Sequence, residues 1–423
     1  MQVLTDKNGK GLSDSDIAGL CMESLRGRTL RKVLLIPPDI TRYYSNAGYI
    51  TRVYYQELMR LGAHVDVMPA LGTHAPMSRT ECDDMYFGIP HERFITHNWR
   101  TDTMRLGEVP AEYLCDITEG LWNEPVACEI NRLVMDESYD LIVSIGQVVP
   151  HEVIGMSNHS KNLFVGAGGS EMINKSHMIG ALYGMERLLG RDHSPVRKLM
   201  DYCTEHFLQE RPVLYALTVT TAPLGQIRTH GLFIGYGREP LEAAVTLSQR
   251  MNIDFLDRGI KKCVVYLDPK EFKSTWLGNK AVYRTRMAIE DGGELIVLAP
   301  GVSRFGEDDC NDAVIRKYGY CGRETMVKMY RERDDLRNNM GAAAHLIHGS
   351  SDGRFKITYA VKKMNAGEIA GVHYVPADYV ELVRRYDPQK LLYGWNTLDD
   401  GEEIFYIPNP ALGLWINQNK FNR

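Results

Sequence analysis

The sequence predicts an α/β protein of two domains, each built on a Rossmann-like parallel sheet. Aliphatic runs typical of strands covered on both faces alternate with helix-like segments, as in Val33–Ile36 followed by Ile50–Leu61. The chain has 423 residues, which exceeds the size at which one core keeps growing, so two domains are expected. We place them at residues 1–255 and 256–403, and leave 404–423 as a tail that can pack back on the N-terminal domain.

The first domain is predicted to open with a helix at Asp14–Arg26, which Ser13 can cap and whose acidic residues lie in the first turn. The strand Val33–Ile36 ends at two prolines, because proline cannot donate to a sheet ladder. The other predicted elements are the helix Ile50–Leu61, strand His64–Met68, helix Arg79–Tyr86, strand Leu141–Ile145, helix Met178–Arg187, strand Leu214–Val219 and helix Pro240–Arg250.

The second domain is predicted to follow a link at Asn252–Gly259 and to repeat the alternation of strands and helices. Its predicted strands are Lys262–Leu267, Glu294–Leu298 and Lys356–Ala360, and its predicted helices are Gly278–Glu290, Asp312–Tyr318 and Ala377–Tyr386. The tail contains the strand-like segment EIFYIPNP and the apolar segment ALGLWI.

Composition narrows the class of protein. The net charge is −5, which argues against a bulk electrostatic binder of nucleic acid but leaves room for a local basic pocket. The eight cysteines include no C-x-x-C pair, as expected for a reduced cytosolic protein. The N-terminus lacks a signal-peptide core, and no apolar run reaches the roughly 18 residues that span a bilayer. We therefore predict a cytoplasmic protein that binds neither membrane nor nucleic acid.

Polar loops follow three predicted strands, at Asp39–Arg42, Gly72–His74 and Gln147–His151. Ligands of open α/β sheets bind at the carboxyl ends of strands, where such loops converge. No GxGxxG motif opens a helix here, so the sequence only weakly supports a Rossmann dinucleotide site. The loops instead predict a site for a small polar ligand.

The segment from Val143 to Tyr183 is the strongest candidate for this site. It contains His151, Lys161 and His177, together with a glycine cluster at Gly166, Gly168 and Gly169. Small residues in such a turn let backbone N–H groups approach a phosphate. Each of these residues taken alone could be an ordinary surface group, but their combination favours a binding site.

Several candidate side chains have two interpretations. Histidine is the usual general base and the commonest metal ligand, but the absence of an HExxH motif disfavours a dedicated zinc hydrolase. Arg42 could form a two-pronged contact with a carboxylate or phosphate, or pair structurally with Asp39. Lys161 is either a solvated loop lysine or an amine placed to attack a carbonyl-type carbon. His97, His345 and His348 could join the site or lie on the surface.

The motifs together resemble those of the nickel-pincer lactate racemase family of 2-hydroxyacid racemases and epimerases. The resemblance rests on DITR with Arg42, LGTHAPM with His74, and the run His151–x9–Lys161–x15–His177, and it covers most of the chain in order. It implies two α/β domains with an active-site cleft between them. The His/Lys/His spacing is its most specific part.

The resemblance also implies a cofactor, the nickel-pincer nucleotide (pyridinium-3,5-bisthiocarboxylic acid mononucleotide nickel). One thio-acyl arm would be joined to Lys161 as a thioamide, and the nickel would be bound by a ring carbon, two sulfurs and His177. Cofactor-maturation enzymes would then be partners of this protein. We assign Thr41 and the glycine cluster to cofactor binding as well.

The same resemblance assigns the substrate groups. His74 and His151 match the pair of catalytic bases, Arg42 matches the carboxylate-binding group, and Asp39 matches an acid in the same loop. A lysine of the second domain, which we place at Lys280, would also meet the substrate. Removal of hydride from C2 while a base takes the hydroxyl proton avoids a carbanion beside a carboxylate, and the planar keto acid can take hydride back on its other face.

Two departures from the family pattern bear on the substrate. Trp276 and Leu277 stand where lactate racemases carry a more polar pair, and Tyr43 and Tyr44 replace the usual proline after the arginine. Tyrosine hydroxyls can bond to extra substrate hydroxyls, so we expect a larger 2-hydroxyacid, such as a sugar acid epimerised at C2, rather than lactate. The alternatives are a nicotinamide-dependent oxidoreductase and a metabolite-binding protein without catalytic activity.

Overall fold

A computed structural model describes residues 1–411 and 413–421. The chain forms two compact units. The first contains Met1–Tyr183 and Arg187–Asn252, and the second contains Gly184–Glu186 and the chain that follows Asn252. Each unit has a largely parallel six-stranded sheet with helices around it, which confirms the predicted α/β fold class.

The main sheet of the first unit has the strand order β1-β10-β9-β6-β2-β3. Its four strands β9, β6, β2 and β3 are parallel, and β10 and β1 extend it as an antiparallel edge. Two further antiparallel pairs, β4–β5 and β7–β8, lie outside this sheet. The strands of the first unit are β1 (Gln2–Thr5), β2 (Lys32–Ile36), β3 (His64–Val67), β4 (Thr103–Val109), β5 (Val126–Asn131), β6 (Leu141–Gln147), β7 (Pro150–His151), β8 (Gly155–Met156), β9 (Val213–Thr221) and β10 (Arg228–Gly235).

Helices accompany these strands. They are α1 (Asp14–Leu25), α2 (Ala47–Arg60), α3 (Arg79–Met85), α4 (Ala111–Ile117), α5 (Ser170–Tyr183), α6 (Met185–Leu188), α7 (Pro195–Phe207) and α8 (Glu239–Asn252). Short 3-10 helices occupy Ile40–Ser45, His91–Arg93, Arg132–Met135 and Pro223–Gly225, and a π-helix occupies Asn162–Gly166. Ser13 caps α1 as predicted, because its hydroxyl accepts the N–H of Asp16.

The sheet of the second unit has the order β15-β14-β13-β12-β17-β16, in which only β16 is antiparallel to its neighbour. Its strands are β11 (Ile253–Leu256), β12 (Ile260–Tyr266), β13 (Ile289–Ala299), β14 (Lys356–Val361), β15 (Val375–Asp378), β16 (Gly394–Thr397), β17 (Glu403–Ile407) and β18 (Leu414–Asn417). Its helices are α9 (Thr275–Gly278), α10 (Lys280–Thr285), α11 (Asp309–Tyr318), α12 (Arg323–Glu332), α13 (Asp334–Arg337), α14 (Met340–His348), α15 (Ala366–Gly371), α16 (Tyr379–Arg385) and α17 (Gln418–Phe421).

Several predicted elements differ from the observed ones. The predicted helix Gly278–Glu290 ends at Thr285, because the chain enters β13 at Ile289. The helix predicted from Met178 begins eight residues earlier, at Ser170, and is interrupted at Gly184, which has a φ of +102°. The predicted link at 252–259 contains β11, which forms by parallel pairing with the distant strand β18.

The centre of the first unit is a sheet buried on both faces. Every residue of β6 is buried, and β2 is buried from Val33 onward. The α2 helix packs Ile50, Tyr54 and Leu58 into the same core. Each fully buried aliphatic side chain contributes about 1.5–3 kcal/mol, so the sheet is a rigid base for the loops at its edge. No helix formed by the described residues is long and apolar enough to cross a membrane.

Candidate active site

Three loops leave one edge of the first sheet side by side. They follow β2, β3 and β6, which are adjacent parallel strands. Pro38, after β2, forms a bridge with Ala70, after β3, and the Gly72 N–H donates to the Gly166 carbonyl over 2.8 Å. The carboxyl ends of neighbouring parallel strands are where α/β proteins hold ligands. Three segments therefore meet at this edge: the one with Asp39, the one with His74 and the one that leads to Lys161.

Asp39 and His74 form a carboxylate–histidine pair. The His74 Nδ1 lies 2.5 Å from the Asp39 Oδ2, while the Asp39 Oδ1 accepts the N–H and hydroxyl of Thr41. Burial alone would raise the pKa of Asp39, but these hydrogen bonds and the charge of Arg42 outweigh it, so its pKa lies below the ordinary value. The carboxylate holds the imidazole with its proton on Nδ1, which leaves the Nε2 lone pair to accept a proton.

Arg42 has a guanidinium available for an anion. Among residues 1–411 and 413–421, no hydrogen bond or ion pair involves this guanidinium, whereas its backbone N–H donates to the Asp39 carbonyl. The structural Asp39–Arg42 ion pair that the sequence left open is therefore not formed. The side chain is partly exposed, as a carboxylate-binding arginine must be.

His151 is held differently from His74. It lies in the short strand β7, is buried, and its Nδ1 accepts the N–H of Val153 over 3.1 Å. An acceptor Nδ1 places the proton of the neutral ring on Nε2. His151 thus presents a donor where His74 presents an acceptor. The sequence placed His151 in a loop, and the structure places it in this strand.

Lys161 directly precedes the π-helix. None of the hydrogen bonds between described residues involves its ammonium group. Burial lowers the pKa of Lys161 to about 8; the charges of Arg42 and Arg197 act in the same direction, whereas Glu152 and Asp39 oppose them. A substantial fraction of this amine is neutral at pH 8, and the neutral form is the nucleophile.

His177 lies inside α5, whereas the predicted helix begins only after it, at Met178. Its Nδ1 donates to the carbonyl of Ile173, four residues earlier, over 2.6 Å. Burial, with the charge of Lys161 acting in the same direction, lowers the pKa of His177 to about 4. The ring is therefore neutral with a free Nε2 lone pair, in the tautomer that a backbone carbonyl imposes on metal-binding histidines.

The glycine cluster packs closely against the rest of the unit. A side-chain carbon on Gly168 would lie 1.8 Å from the Phe164 carbonyl oxygen, and one on Gly169 would lie 2.3 Å from a Glu129 carboxylate oxygen. The same Glu129 carboxylate accepts the N–H of Glu171, in the first turn of α5. These contacts explain why glycine is needed here. The negative charge of Glu129 argues against a phosphate at this turn. The role of Gly166, Gly168 and Gly169 in cofactor binding therefore stays a prediction.

Two charged residues near this edge were not singled out from the sequence. The Glu152 carboxylate raises the pKa of both Lys161 and His177, and its position directly after His151 was the available signal. Arg197 is completely buried in α7 and donates to the segment that leads to Lys161. Nothing in the local pattern around Arg197 distinguishes it from a surface arginine of an amphipathic helix.

The other histidines considered from the sequence have structural contacts. His97 is buried and its Nδ1 accepts from the Asn131 amide, while its Nε2 donates to the Gly168 carbonyl. His345, in the second unit, contacts the hydroxyls of Tyr283 and Tyr320 through its two ring nitrogens. His97 thus supports the glycine turn ahead of α5.

The second unit contains the remaining predicted site residues. Lys280 is the first residue of α10, and its ammonium lies 5.8 Å from the centre of the Phe272 ring. Trp276, in α9, stacks on His345 with ring centroids 4.3 Å apart. The role of Lys280 toward a substrate stays a prediction.

A metal at this edge would need ligands from outside the protein. In the part of the chain that the structure describes, no three His, Cys, Asp or Glu side chains cluster to hold a metal ion. One neutral histidine with a free Nε2 fits a metal whose other ligands come from an organic cofactor. An amine of lowered pKa beside it fits a covalent attachment point. Lys161 and His177 therefore suit the attachment arm and the metal of the nickel-pincer nucleotide.

Comparisons with known proteins agree with this description. Residues 22–187 match the family model of the lactate racemase N-terminal domain. A crystal structure of a Thermotoga maritima protein aligns with a TM-score of 0.81 and 22% identity, over 97% of this chain and 99% of that one. The lactate racemase apoprotein of Thermoanaerobacterium thermosaccharolyticum aligns with a TM-score of 0.72 and 16% identity, over 96% and 93% of the chains. No curated protein sequence matches the chain. The family match supports a racemase- or epimerase-type function.

Proposed function

Residues 22–187 belong to the lactate racemase N-terminal domain family, and from that premise we propose that this protein is a racemase or C2-epimerase of a 2-hydroxyacid. The observation that carries the proposal is the Asp39–His74 pair, three residues from the Arg42 guanidinium, which has no partner among the described residues. A 2-hydroxyacid has a hydroxyl next to its carboxylate. The free Nε2 of His74 suits the hydroxyl, and the Arg42 guanidinium in the same loop region suits the carboxylate.

The nickel-pincer nucleotide is the cofactor that we propose for this site, attached through Lys161 with His177 as the metal ligand. When bound, it supplies the acceptor for the C2 hydrogen together with its bonding electron pair. The lowered pKa of Lys161 and the fixed tautomer of His177 support this assignment. The maturation enzymes that build the nucleotide are then partners of this protein.

The protein side chains manage the proton and the carboxylate. Arg42 binds the substrate carboxylate, and the Nε2 of His74 accepts the hydroxyl proton. The Asp39 carboxylate stabilises the imidazolium that forms, because its low pKa keeps it ionised. His151 carries its proton on Nε2 and returns a proton to the C2 oxygen on the opposite face. The cofactor would take charge of the C2 hydrogen, so these side chains need handle only the hydroxyl proton and the carboxylate.

A sugar acid is the substrate class that we propose. Tyr43 and Tyr44 directly follow Arg42, are 44% and 38% exposed, and pack edge to face with ring centroids 5.5 Å apart. Exposed phenol groups beside a carboxylate-binding arginine can bond to additional hydroxyls of a longer substrate. Lactate has no such hydroxyls.

A substrate panel tests the proposed function. The full chain, produced together with the maturation enzymes, is incubated with lactate, malate, phenyllactate and aldonic acids, and C2 inversion is followed by chiral chromatography. We expect an aldonic acid to have the highest kcat/KM. Lactate as the best substrate would contradict the substrate class, and no inversion of any acid by protein that carries the nucleotide would contradict the reaction.

Replacement of Arg42 by lysine tests the carboxylate contact. Lysine keeps the charge but loses the planar two-pronged donor, so we expect a loss of about 1–3 kcal/mol, or about 5- to 150-fold in kcat/KM. Arg52→Lys is the control, because Arg52 lies on α2 over the Tyr49 ring and away from the loop. Steady-state kinetics on both variants provide the measurement, and equal losses would remove the argument for Arg42.

A further inference from the structure

Arg197 is the largest completely buried side chain of the first unit and lies in the first turn of α7. Among the described residues, every hydrogen bond of its guanidinium goes to one short segment, Met156–Ser160. Its Nη2 donates to the Met156 carbonyl over 2.6 Å, and its Nη1 donates to the Asn158 carbonyl over 3.2 Å and to the Ser160 hydroxyl over 2.8 Å. Lys161 is the next residue along the chain.

This segment, 156–160, has an unusual backbone. Asn158 and His159 have φ values of +66° and +59°, so two consecutive non-glycine residues adopt the left-handed region. Such a conformation is unfavourable for a residue other than glycine and persists only where its surroundings hold it. The His159 ring is held as well, since it stacks on Tyr215 at 3.8 Å and its Nε2 donates to the Gly237 carbonyl. Arg197 holds the other side of the turn.

The charge of Arg197 is not neutralised by a direct ion pair. Across the described residues, no carboxylate lies within ion-pair distance of it, because Arg238 binds both Asp192 and Asp201. The Arg197 Nε has no hydrogen-bond partner in the described structure. Asp201 and Asp192 act on the Arg197 charge only from a distance, and a buried guanidinium without a direct ion pair is costly. Structural packing alone would be served better by an apolar side chain of similar volume.

We infer that Arg197 is a positioning residue for Lys161: it holds segment 156–160 in its left-handed turn and thereby fixes the amine at the edge of the sheet. The inference depends on the proposed function only for the choice of Lys161 as the reacting amine. It assigns Arg197 no contact with substrate or cofactor.

The charges that face the amine of Lys161 come from several elements. Arg42 follows β2, Glu152 follows β7 and Arg197 lies in α7. The charge of Asp39 also raises the pKa of the Lys161 amine, and the charge of that amine lowers the pKa of His177 in α5. Burial is the largest cause of the lowered pKa of Lys161. Loss of the turn would admit water to the amine and raise its pKa toward the ordinary value, near 10.4.

Acylation of Lys161 as a function of pH tests the inference without reference to catalysis. The full chain is made without maturation enzymes and pulsed with acetic anhydride, and the Lys161 peptide is quantified by mass spectrometry. The neutral amine attacks the anhydride carbon, an N–C bond forms, and acetate and one proton leave. The wild-type rate should rise with pH to a midpoint near 8.

We expect Arg197→Met and Arg197→Lys both to move this midpoint upward. Below the midpoint, each unit of upward movement lowers the acylation rate about tenfold. Arg197→Lys keeps the positive charge but cannot reach two carbonyls and a hydroxyl at once. This variant therefore distinguishes the effect of the position of segment 156–160 from the effect of the Arg197 charge. When the maturation enzymes are present, both variants should lose nucleotide adduct at Lys161, measured by intact mass.

Arg211→Met is the matched control, since Arg211 also donates to two backbone carbonyls, those of Val134 and Asp136, away from the turn. This control should keep the midpoint near 8. If Arg197→Met fails to fold, the folded Arg197→Lys variant is the test of the inference. A midpoint near 8 in Arg197→Lys, together with as much nucleotide adduct as in the wild type, would overturn the inference. Wild-type protein that has a midpoint near 8 but gains no adduct contradicts the proposed cofactor instead.

Discussion

Lys161→Ala is expected to abolish covalent attachment of the nucleotide, while His177→Ala is expected to keep the adduct and lose nickel. The reason is that Lys161 offers an amine whose pKa is lowered to about 8, whereas His177 offers a neutral ring with a free Nε2. Intact mass and metal analysis of protein produced with the maturation enzymes measure the two losses separately.

Two residues of the same unit provide matched controls. Lys175 is a lysine of α5 that is already bound by Glu171, so Lys175→Ala should retain the adduct. His206, in α7, donates its Nδ1 to a carbonyl four residues earlier, as His177 does, but it is exposed. His206→Ala should therefore retain nickel. Full inversion activity in a Lys161→Ala protein of unmodified mass would rule out the covalent attachment.

His74→Ala is expected to lower kcat for C2 inversion about 10²- to 10⁴-fold, as is usual for loss of a positioned general base. The impairment should appear from both stereoisomers, because each turnover uses both faces of the keto acid. Asp39→Asn should also lower kcat, because the amide no longer stabilises the imidazolium that forms on His74. Steady-state rates measured from each pure isomer provide the test.

His64 offers an internal control for this pair. Its Nε2 lies 3.1 Å from the Asp66 carboxylate, and its side chain is 51% exposed, against 55% for His74. His64→Ala should leave the rate of inversion unchanged. A second measurement uses substrate deuterated at C2 in ordinary water. Transfer of the C2 hydrogen with its electron pair retains the deuterium, whereas exchange with water in the first turnovers would favour proton abstraction by an ordinary racemase.

These measurements also separate the alternative functions. A nicotinamide-dependent oxidoreductase would release a keto acid and would need NAD(P), and a metabolite-binding protein would bind the acid without inverting it. The family match over residues 22–187 favours the racemase or epimerase class over both. Neither alternative predicts a nucleotide adduct that depends on Lys161 or a C2 inversion that depends on His74.

The residue types and their order determined much of the fold without any knowledge of contacts. The buried run from Val33 to Ile36, the prolines after it and the next helix define a strand, loop and helix locally, because periodicity and turn chemistry are short-range properties. The positions of Asp39, His74 and His151 after strands followed from the same pattern. The motif spacing from His151 to His177 indicated the family.

Only the tertiary structure decided how these residues are held. The strand order places β6, β2 and β3 side by side, and strand pairing of this kind depends on contacts distant in sequence. The link at 252–259 contains β11 only because β18 pairs with it from more than 150 residues away. Opposite tautomers of His74 and His151 follow from Asp39 and from the Val153 N–H, which no local pattern indicates. The same is true of Arg197, whose burial against segment 156–160 depends on packing between distant parts of the chain.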